Sequence, residues 1–291
     1  KAEKATGGAK TRAETEAKRL QAEWHERLRN FRVLDPACGS GNFLYLSLLA
    51  LKDIEHRTNL EAEALSPTLA ARFPSSGPEN VLGIELNPYA AELARVSVWI
   101  GEIQWMRRNG FEAAKNPILK PLSNIENRDA IVVFDESESV WKEANWPLAN
   151  VIVGNPPFLG GKSMRRTLGE ESTSVIRRVY DGRLAAFSDL VCYWFEKARL
   201  LIEDGEVERC GFVATKAIAK NANLPVLVRL SEVAAIYDAW QNEPWVVDGA
   251  AVRVSLVCFA SKDSEIPTLR LNGATAKNIN PNLTSGLDTT K

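Results

Sequence analysis

The sequence predicts an α/β domain, a parallel-dominated sheet with helices on both faces. Three observations carry this. Short apolar runs alternate with longer stretches of helical spacing along most of the 291 residues. The run Val151-Ile152-Val153 is apolar without a break, as a strand buried on both faces requires. Two runs end in turn-forming sequences, Asp35-Pro36-Ala37-Cys38-Gly39-Ser40-Gly41 and Gly154-Asn155-Pro156-Pro157, at the strand ends where such folds hold ligands.

Each element follows from local pattern. Residues 1–30 carry eight basic and five acidic side chains. From Thr11 the composition favours helix, with Leu20, Trp24 and Leu28 as an apolar stripe and the first ten residues loose. The basic excess reads as a solvated face. A strand at 31–35 leads through the glycine turn into a helix with Leu44, Leu48 and Leu51 on one face. Residues 57–79, with Pro67, Pro74, Pro78 and Ser75-Ser76-Gly77, read as a surface insertion holding one short helix. A strand at 81–85 precedes a helix opened by Pro88, with Leu93, Val96, Ile100 and Ile103 as its stripe. Residues 110–130 read as irregular, 131–134 as a short strand and 135–138 as an acidic loop. The stretch 159–184 carries six basic and three acidic side chains and reads as a mobile loop. A helix over 185–202, a strand at 211–215, a helix near 220–230 and strands near 233–239 and 251–259 complete the pattern. The polar residues from 263 read as a tail.

Lys and Arg total 36 against 37 Asp and Glu, a net charge of −1, so any nucleic-acid surface is a local patch and not a global field. A hydrophobic share of 45% excludes wholesale disorder. The four cysteines form no C-x-x-C pair and read as reduced, mostly buried thiols of a cytoplasmic protein. The two histidines have no ligand spacing, and no metal site is expected. The most apolar helical stretch, 43–51, falls short of the roughly 18 residues a membrane span needs, so no membrane partner is expected. The chain opens on Lys1 with no signal-peptide pattern and reads as a piece of a longer one.

Three strand ends carry the chemistry. Gly39 and Gly41 allow a turn whose backbone approaches a ligand, at the positive end of the following helix. Asp35 repels a phosphate there and attracts an ammonium, although a plain strand–helix turn accounts for the two glycines equally well. Glu85 suits a pair of ribose hydroxyls, or is a solvated strand-end carboxylate. In Asn155-Pro156-Pro157-Phe158 two prolines remove backbone donors and leave acceptors beside an aromatic face. That combination suits a planar ring bearing an exocyclic amine, or serves as a rigid turn. Gly160-Gly161-Lys162-Ser163 lacks the spacing of a phosphate-binding P-loop.

Asp35–Phe43 (DPACGSGNF) followed by Asn155–Phe158 (NPPF) resembles the AdoMet-dependent adenine-N6 DNA methyltransferases, over roughly residues 31–262. Phe31-Arg32-Val33-Leu34, the helix after Asn87-Pro88 and the tail Asn280–Thr284 point within that group to the MmeI-like fused restriction–modification enzymes. The resemblance implies a Rossmann-like class I fold, a mostly parallel seven-stranded sheet with an antiparallel last strand. It implies an N-terminal helical linker (1–30), a catalytic domain (31–262) and a tail (263–291) toward a target-recognition domain. It implies S-adenosylmethionine (AdoMet) as cofactor, held by Asp35, Ala37, Gly39 and Gly41 at its methionine part, by Glu85 at the ribose, and by Leu86, Asp129 and the adjoining Ala130 at the adenine. Asn155 and the Pro156 carbonyl would bind the target amine, with Pro157 stiffening the loop and Phe158 stacking on a flipped base. Asp189 and Trp245–Val257, with Gly249-Ala250, match later motifs. Lys162, Arg165, Arg166, Arg177 and Arg178 would contact phosphates of double-stranded DNA. The expected partners are nuclease and target-recognition domains of the parent chain, in a prokaryotic cytoplasm. Two departures stand out: residues 1–30 lack the family's extra aromatic cofactor segment, and too few residues follow Lys262 for target recognition. Methylation of RNA or of a protein glutamine amide, and a non-catalytic AdoMet-binding scaffold, are the alternatives.

Overall fold

The computed structural model describes residues 7–69, 73–111, 121–247, 250–266 and 268–287. A nine-stranded sheet runs through it in the order β11-β10-β8-β9-β7-β6-β1-β2-β3. The strands are β1 (Val33–Asp35), β2 (Val81–Glu85), β3 (Ile125–Asn127), β6 (Val151–Gly154), β7 (Arg209–Thr215), β8 (Ala234–Val247), β9 (Ala250–Ser261), β10 (Arg270–Leu271) and β11 (Ala274–Thr275). Two further strands, β4 (Val132–Asp135) and β5 (Val140–Glu143), form a separate antiparallel hairpin. The expected seven strands are β3-β2-β1-β6-β7-β9-β8, and the small β10–β11 hairpin extends them at one edge. β9, last of the seven, is antiparallel to both neighbours, while β3, β2, β1, β6 and β7 are parallel.

The helices are α1 (Gly7–Asn30), α2 (Asn42–Leu65), α3 (Pro88–Arg108), α4 (Met164–Leu168), α5 (Glu170–Val179), α6 (Val191–Glu203) and α7 (Leu224–Val233). From β1 the chain steps outward through α2, β2, α3 and β3. It then returns by the β4–β5 hairpin to lay β6 on the other side of β1. The reversal leaves a crevice at the carboxyl ends of β1 and β6, where open α/β sheets bind ligands. The larger core gathers Leu34, Ile84 and Ile152 with α6, α7 and the ring trio Phe195, Phe212 and Phe259. A smaller one joins α2 and α3 to the sheet through Leu44, Leu48, Val81, Val98 and Ile125.

Several elements depart from the sequence reading. α2 runs on to Leu65 and takes the first nine residues of the supposed insertion. The remainder is anchored: buried Glu55 accepts bonds from the N–H and hydroxyl of Ser75 and of Ser76, at 2.5–2.9 Å. Burial raises the Glu55 carboxyl, but those four bonds outweigh it and hold it below its usual range. On α3 the larger residues Leu93, Val96 and Ile100 face out, and Ala91, Ala94, Val98, Gly101 and Trp105 face in. Small side chains let α3 approach α2 closely; a Cβ at Gly101 would lie 2.8 Å from the Tyr45 ring. α1 starts at Gly7, and of its proposed stripe Leu28 is buried while Leu20 is exposed; residues 1–6 lie outside the described ones.

The stretch 159–184 is ordered into α4 and α5, correcting the loop reading. Met164, Val175, Ile176 and Tyr180 enter the larger core, and the Tyr180 hydroxyl donates to the Ile131 carbonyl at 3.0 Å. Residues 185–190 are turns, so α6 begins at Val191. β3, three residues long, went unread because so short an edge strand has no periodicity to detect. After 262, β10 pairs in parallel with β8, and Asn280 and Leu283 are buried, so this segment packs on the domain.

Candidate cofactor and target-base site

Three carboxylates gather near the carboxyl end of the sheet. Asp35 ends β1 with 1% exposure, Glu85 ends β2, and Asp129 lies two residues past β3. Burial pushes the Asp35 carboxyl up to about 7, opposed by a 3.0 Å bond from the Ala37 N–H and reinforced by the charge of Glu85. A cation placed against Asp35 would restore the counter-charge that burial removes.

Glu85 fastens two loops. Its Oε2 accepts from the Gly39 N–H at 2.9 Å and its Oε1 from the Asn87 N–H at 2.8 Å. Gly39 has φ +52°, and a Cβ built there meets nothing within 4 Å, so the turn borders open space. Gly41, at φ +86°, caps α2, and a Cβ there would lie 2.9 Å from the Ala94 Cα. The Trp194 indole of α6 donates to the Pro36 carbonyl at 3.0 Å and clamps the same turn from the opposite side. Asn127 donates to the carbonyls of Glu85 (2.8 Å) and Leu86 (3.0 Å), leaving the Leu86 side chain 66% exposed. Asp129 Oδ1 accepts from Ile131 (2.6 Å) and Val132 (3.2 Å), while no described residue donates to its Oδ2. Ala37 is half-buried and Ala130 buried beside these groups.

The second loop meets the first through Gly154, whose Cβ position is 2.7 Å from Asp35 Oδ1. Asn155 follows, and its Oδ1 is buried without a hydrogen-bond partner. An orphaned amide oxygen costs about 1–3 kcal/mol, so this atom is an acceptor awaiting a donor. Pro156 is buried, Pro157 exposed and Phe158 half-buried. Beyond it, the Leu190 N–H donates to the Leu159 carbonyl at 2.8 Å and the Gly161 N–H to Asp189 Oδ1 at 3.1 Å.

Of the five candidate phosphate contacts, Lys162, Arg165, Arg166 and Arg178 are exposed on or beside α4 and α5, with Arg165 paired to Glu170 at 3.4 Å. Arg177 is turned inward instead. It donates to the Gly161 carbonyl at 3.0 Å and lies over the Phe187 ring at 5.7 Å. Trp245–Val257 falls on the β8–β9 pair, with Gly249 outside the described residues. Gly154, Trp194 and Asn127 escaped the sequence reading. Gly154 had a visible signal, its place between an apolar run and Asn-Pro-Pro; Trp194 and Asn127 act through contacts distant in sequence.

The sequence profile of a family described as "MmeI, DNA-methyltransferase domain" matches residues 10–269. A solved structure of the Type IIL restriction–modification enzyme MmeI in complex with DNA superposes with a TM-score of 0.70 at 25% identity, over 94% of this chain and 38% of that one. DNA methyltransferase A of Bacillus subtilis (strain 168) is 26% identical over 274 residues, 89% of this chain and 30% of that protein. Ribosomal RNA large subunit methyltransferase K/L of Acinetobacter baylyi is 22% identical over 277 residues, 81% of this chain and 34% of that protein. The chain thus spans about a third of the length of the curated relatives it matches.

Proposed function

The chain belongs to the family of MmeI-type DNA-methyltransferase domains, whose cofactor is AdoMet, and we propose that it methylates the exocyclic N6 of an adenine flipped out of double-stranded DNA. The observation that carries the adenine reading is the buried, unpartnered Oδ1 of Asn155, joined to Asp35 through Gly154. The biological setting proposed is a restriction–modification or defence enzyme of a prokaryotic cytoplasm, with nuclease and target-recognition domains in the parent chain. Among the described residues no helix is long and apolar enough to cross a membrane.

The residues present fit AdoMet. Asp35 would take the ammonium of its methionine part, with Ala37, Gly39 and Gly41 shaping the turn around it. Glu85 would accept from the ribose hydroxyls. Leu86 would cover one side of the adenine, and the free oxygen of Asp129, beside Ala130, would accept from its amine. The bound cofactor supplies an electrophilic sulfonium methyl.

A base inside a duplex cannot reach this crevice, so the target is extruded at a cost of a few kcal/mol. Phe158 offers the aromatic face that offsets about 1–3 kcal/mol of that by stacking. Asn155 Oδ1 and the Pro156 carbonyl accept the two amine hydrogens, with Pro157 keeping the loop rigid. Methyl transfer would build positive charge on the amine nitrogen. The two acceptors then bind it more strongly than in the ground state, which lowers the barrier. After transfer the extra amine proton would pass to solvent water. Orientation by this fixed loop supplies the remaining advantage. Lys162, Arg165, Arg166 and Arg178 hold the flanking phosphates.

The test is transfer of labelled methyl from AdoMet to duplex DNA, single-stranded DNA, ribosomal RNA and a glutamine peptide, with hydrolysed DNA analysed for N6-methyladenine. Asn155→Ala is expected to reduce turnover by about 10²–10³-fold while the AdoMet Kd stays within threefold. Methyl label on RNA or peptide alone would overturn the DNA reading. Equal loss of AdoMet binding would overturn the role of Asn155.

A further inference from the structure

We infer that Asn223 is a positioning residue for the loop bearing Asn155 and Phe158, acting through Asp189. The inference rests on the reading of that loop as the target-base site. After Phe158 the loop is held at three points, one by Arg177 of α5, which donates to the Gly161 carbonyl at 3.0 Å, and two on the 187–190 segment. The Leu190 N–H donates to the Leu159 carbonyl at 2.8 Å, and the Gly161 N–H donates to Asp189 Oδ1 at 3.1 Å. The contact is tight: a Cβ at Gly161 would lie 2.2 Å from the Phe187 carbonyl oxygen and 2.6 Å from that of Ser188. The geometry of the base loop therefore follows the geometry of Asp189.

Asp189 is in turn held by Asn223 at both its backbone and its carboxylate. Asn223 is 4% exposed, in the 3-10 turn Asn221–Asn223 that opens α7. Its Oδ1 accepts from the Asp189 N–H at 2.8 Å, and its Nδ2 donates to Asp189 Oδ2 at 2.9 Å. Its second Nδ2 hydrogen goes to the Ala217 carbonyl at 3.3 Å. One amide thus reads both the backbone and the carboxylate of Asp189, leaving Oδ1 aimed at Gly161. Only a group with a donor and an acceptor side by side satisfies both contacts. The Thr215 hydroxyl reaches Asp189 Oδ2 at 3.4 Å, and the Ser188 hydroxyl donates to the Ala222 carbonyl at 3.0 Å, tying the same two segments. Asn223 thereby makes the end of β7 the reference point for a loop that leaves β6. None of its bonds to described residues goes to the turn between β1 and α2 that the functional reading assigns to AdoMet.

The experiment pairs Asn223→Asp with the double variant Asn223→Asp/Asp189→Asn, in the full chain. The single change removes the donor and sets two carboxylates face to face. The double change exchanges the two groups, restores the hydrogen bond between the two side chains and keeps an acceptor for Gly161, while the 3.3 Å bond to the Ala217 carbonyl stays lost. The expected result for the single variant is a tenfold or greater fall in kcat on adenine-containing DNA, with AdoMet Kd within twofold and an unchanged fold by circular dichroism. Backbone hydrogen exchange at 159–163, measured by mass spectrometry without substrate, is expected to rise at least tenfold. The double variant is expected to recover at least half of both losses. Unchanged kcat and exchange in the single variant overturn the inference, as does a loss of kcat that the double variant fails to rescue. If the wild type shows no adenine transfer, the functional reading fails, and hydrogen exchange alone decides whether Asn223 positions the loop.

Discussion

In the proposed function, Asp35 is the residue on which cofactor binding and folding energetics meet. Its carboxyl, raised to about 7 by burial, binds a proton in the folded chain at pH values where the unfolded chain has lost it. Folding stability therefore falls as pH rises from about 4, the ordinary carboxylate range, through 7. The cationic ligand selects the charged form, so AdoMet affinity rises with pH up to about 7, by at most tenfold per pH unit. Calorimetric titrations from pH 5.5 to 7.5 are expected to show that slope for the wild type. Asp35→Asn should bind weakly, with the slope removed. Gly154 belongs to the same account: a methyl group there would meet Asp35 Oδ1 at 2.7 Å. Gly154→Ala should destabilise the fold by about 1–3 kcal/mol and weaken AdoMet binding, read by thermal melting with and without ligand. These residues stand at strand ends flanked by turn formers, which is why Asp35, Glu85 and Asn155 were legible as a set. The contact of Gly154 with Asp35 and the clamp from Trp194 were not, because each joins residues more than a hundred apart in the chain.

Among the elements, α4 and α5 carry the largest revision. Their charges suggested a loop, yet the apolar residues Met164, Val175, Ile176 and Tyr180 recur closely enough to bury a face. The consequence is a rigid basic surface with four outward cations and one structural arginine. Arg165→Ala and Arg166→Ala are each expected to weaken DNA binding and to reduce the slope of log K against log salt by about 1. Arg177→Ala should lower stability instead, since its guanidinium holds the Gly161 carbonyl. Filter-binding titrations across salt, with parallel melts, separate the two cases. α3 shows the converse limit. Leu93, Val96 and Ile100 form a regular stripe that stays exposed, while Ala91, Ala94, Val98, Gly101 and Trp105 are buried, the small ones among them letting α3 approach α2 closely.

For the whole molecule the decisive feature is the reversal of strand order at β1 and β6, which sets two loops 120 residues apart into one crevice. α6 packs against β7, β8 and β9, and Trp194 is its link to the β1 turn. Trp194→Phe keeps the ring and removes the donor; an expected loss of about 0.5–1.5 kcal/mol in denaturant unfolding should come with weaker AdoMet binding. A change in stability with no change in affinity would show that the clamp does not shape the pocket.

The amino-acid sequence by itself determined the α/β class, most strand positions, the two site motifs and their family. Those features are written in short-range pattern: apolar runs, turn residues and fixed spacings. The tertiary structure decided which face of α3 is buried and that the tail adds strands. It also decided that Asn223 lies behind Asp189 and that the Asn155 oxygen lacks a partner. Those outcomes depend on packing and desolvation among residues far apart in the chain, where local pattern carries no information.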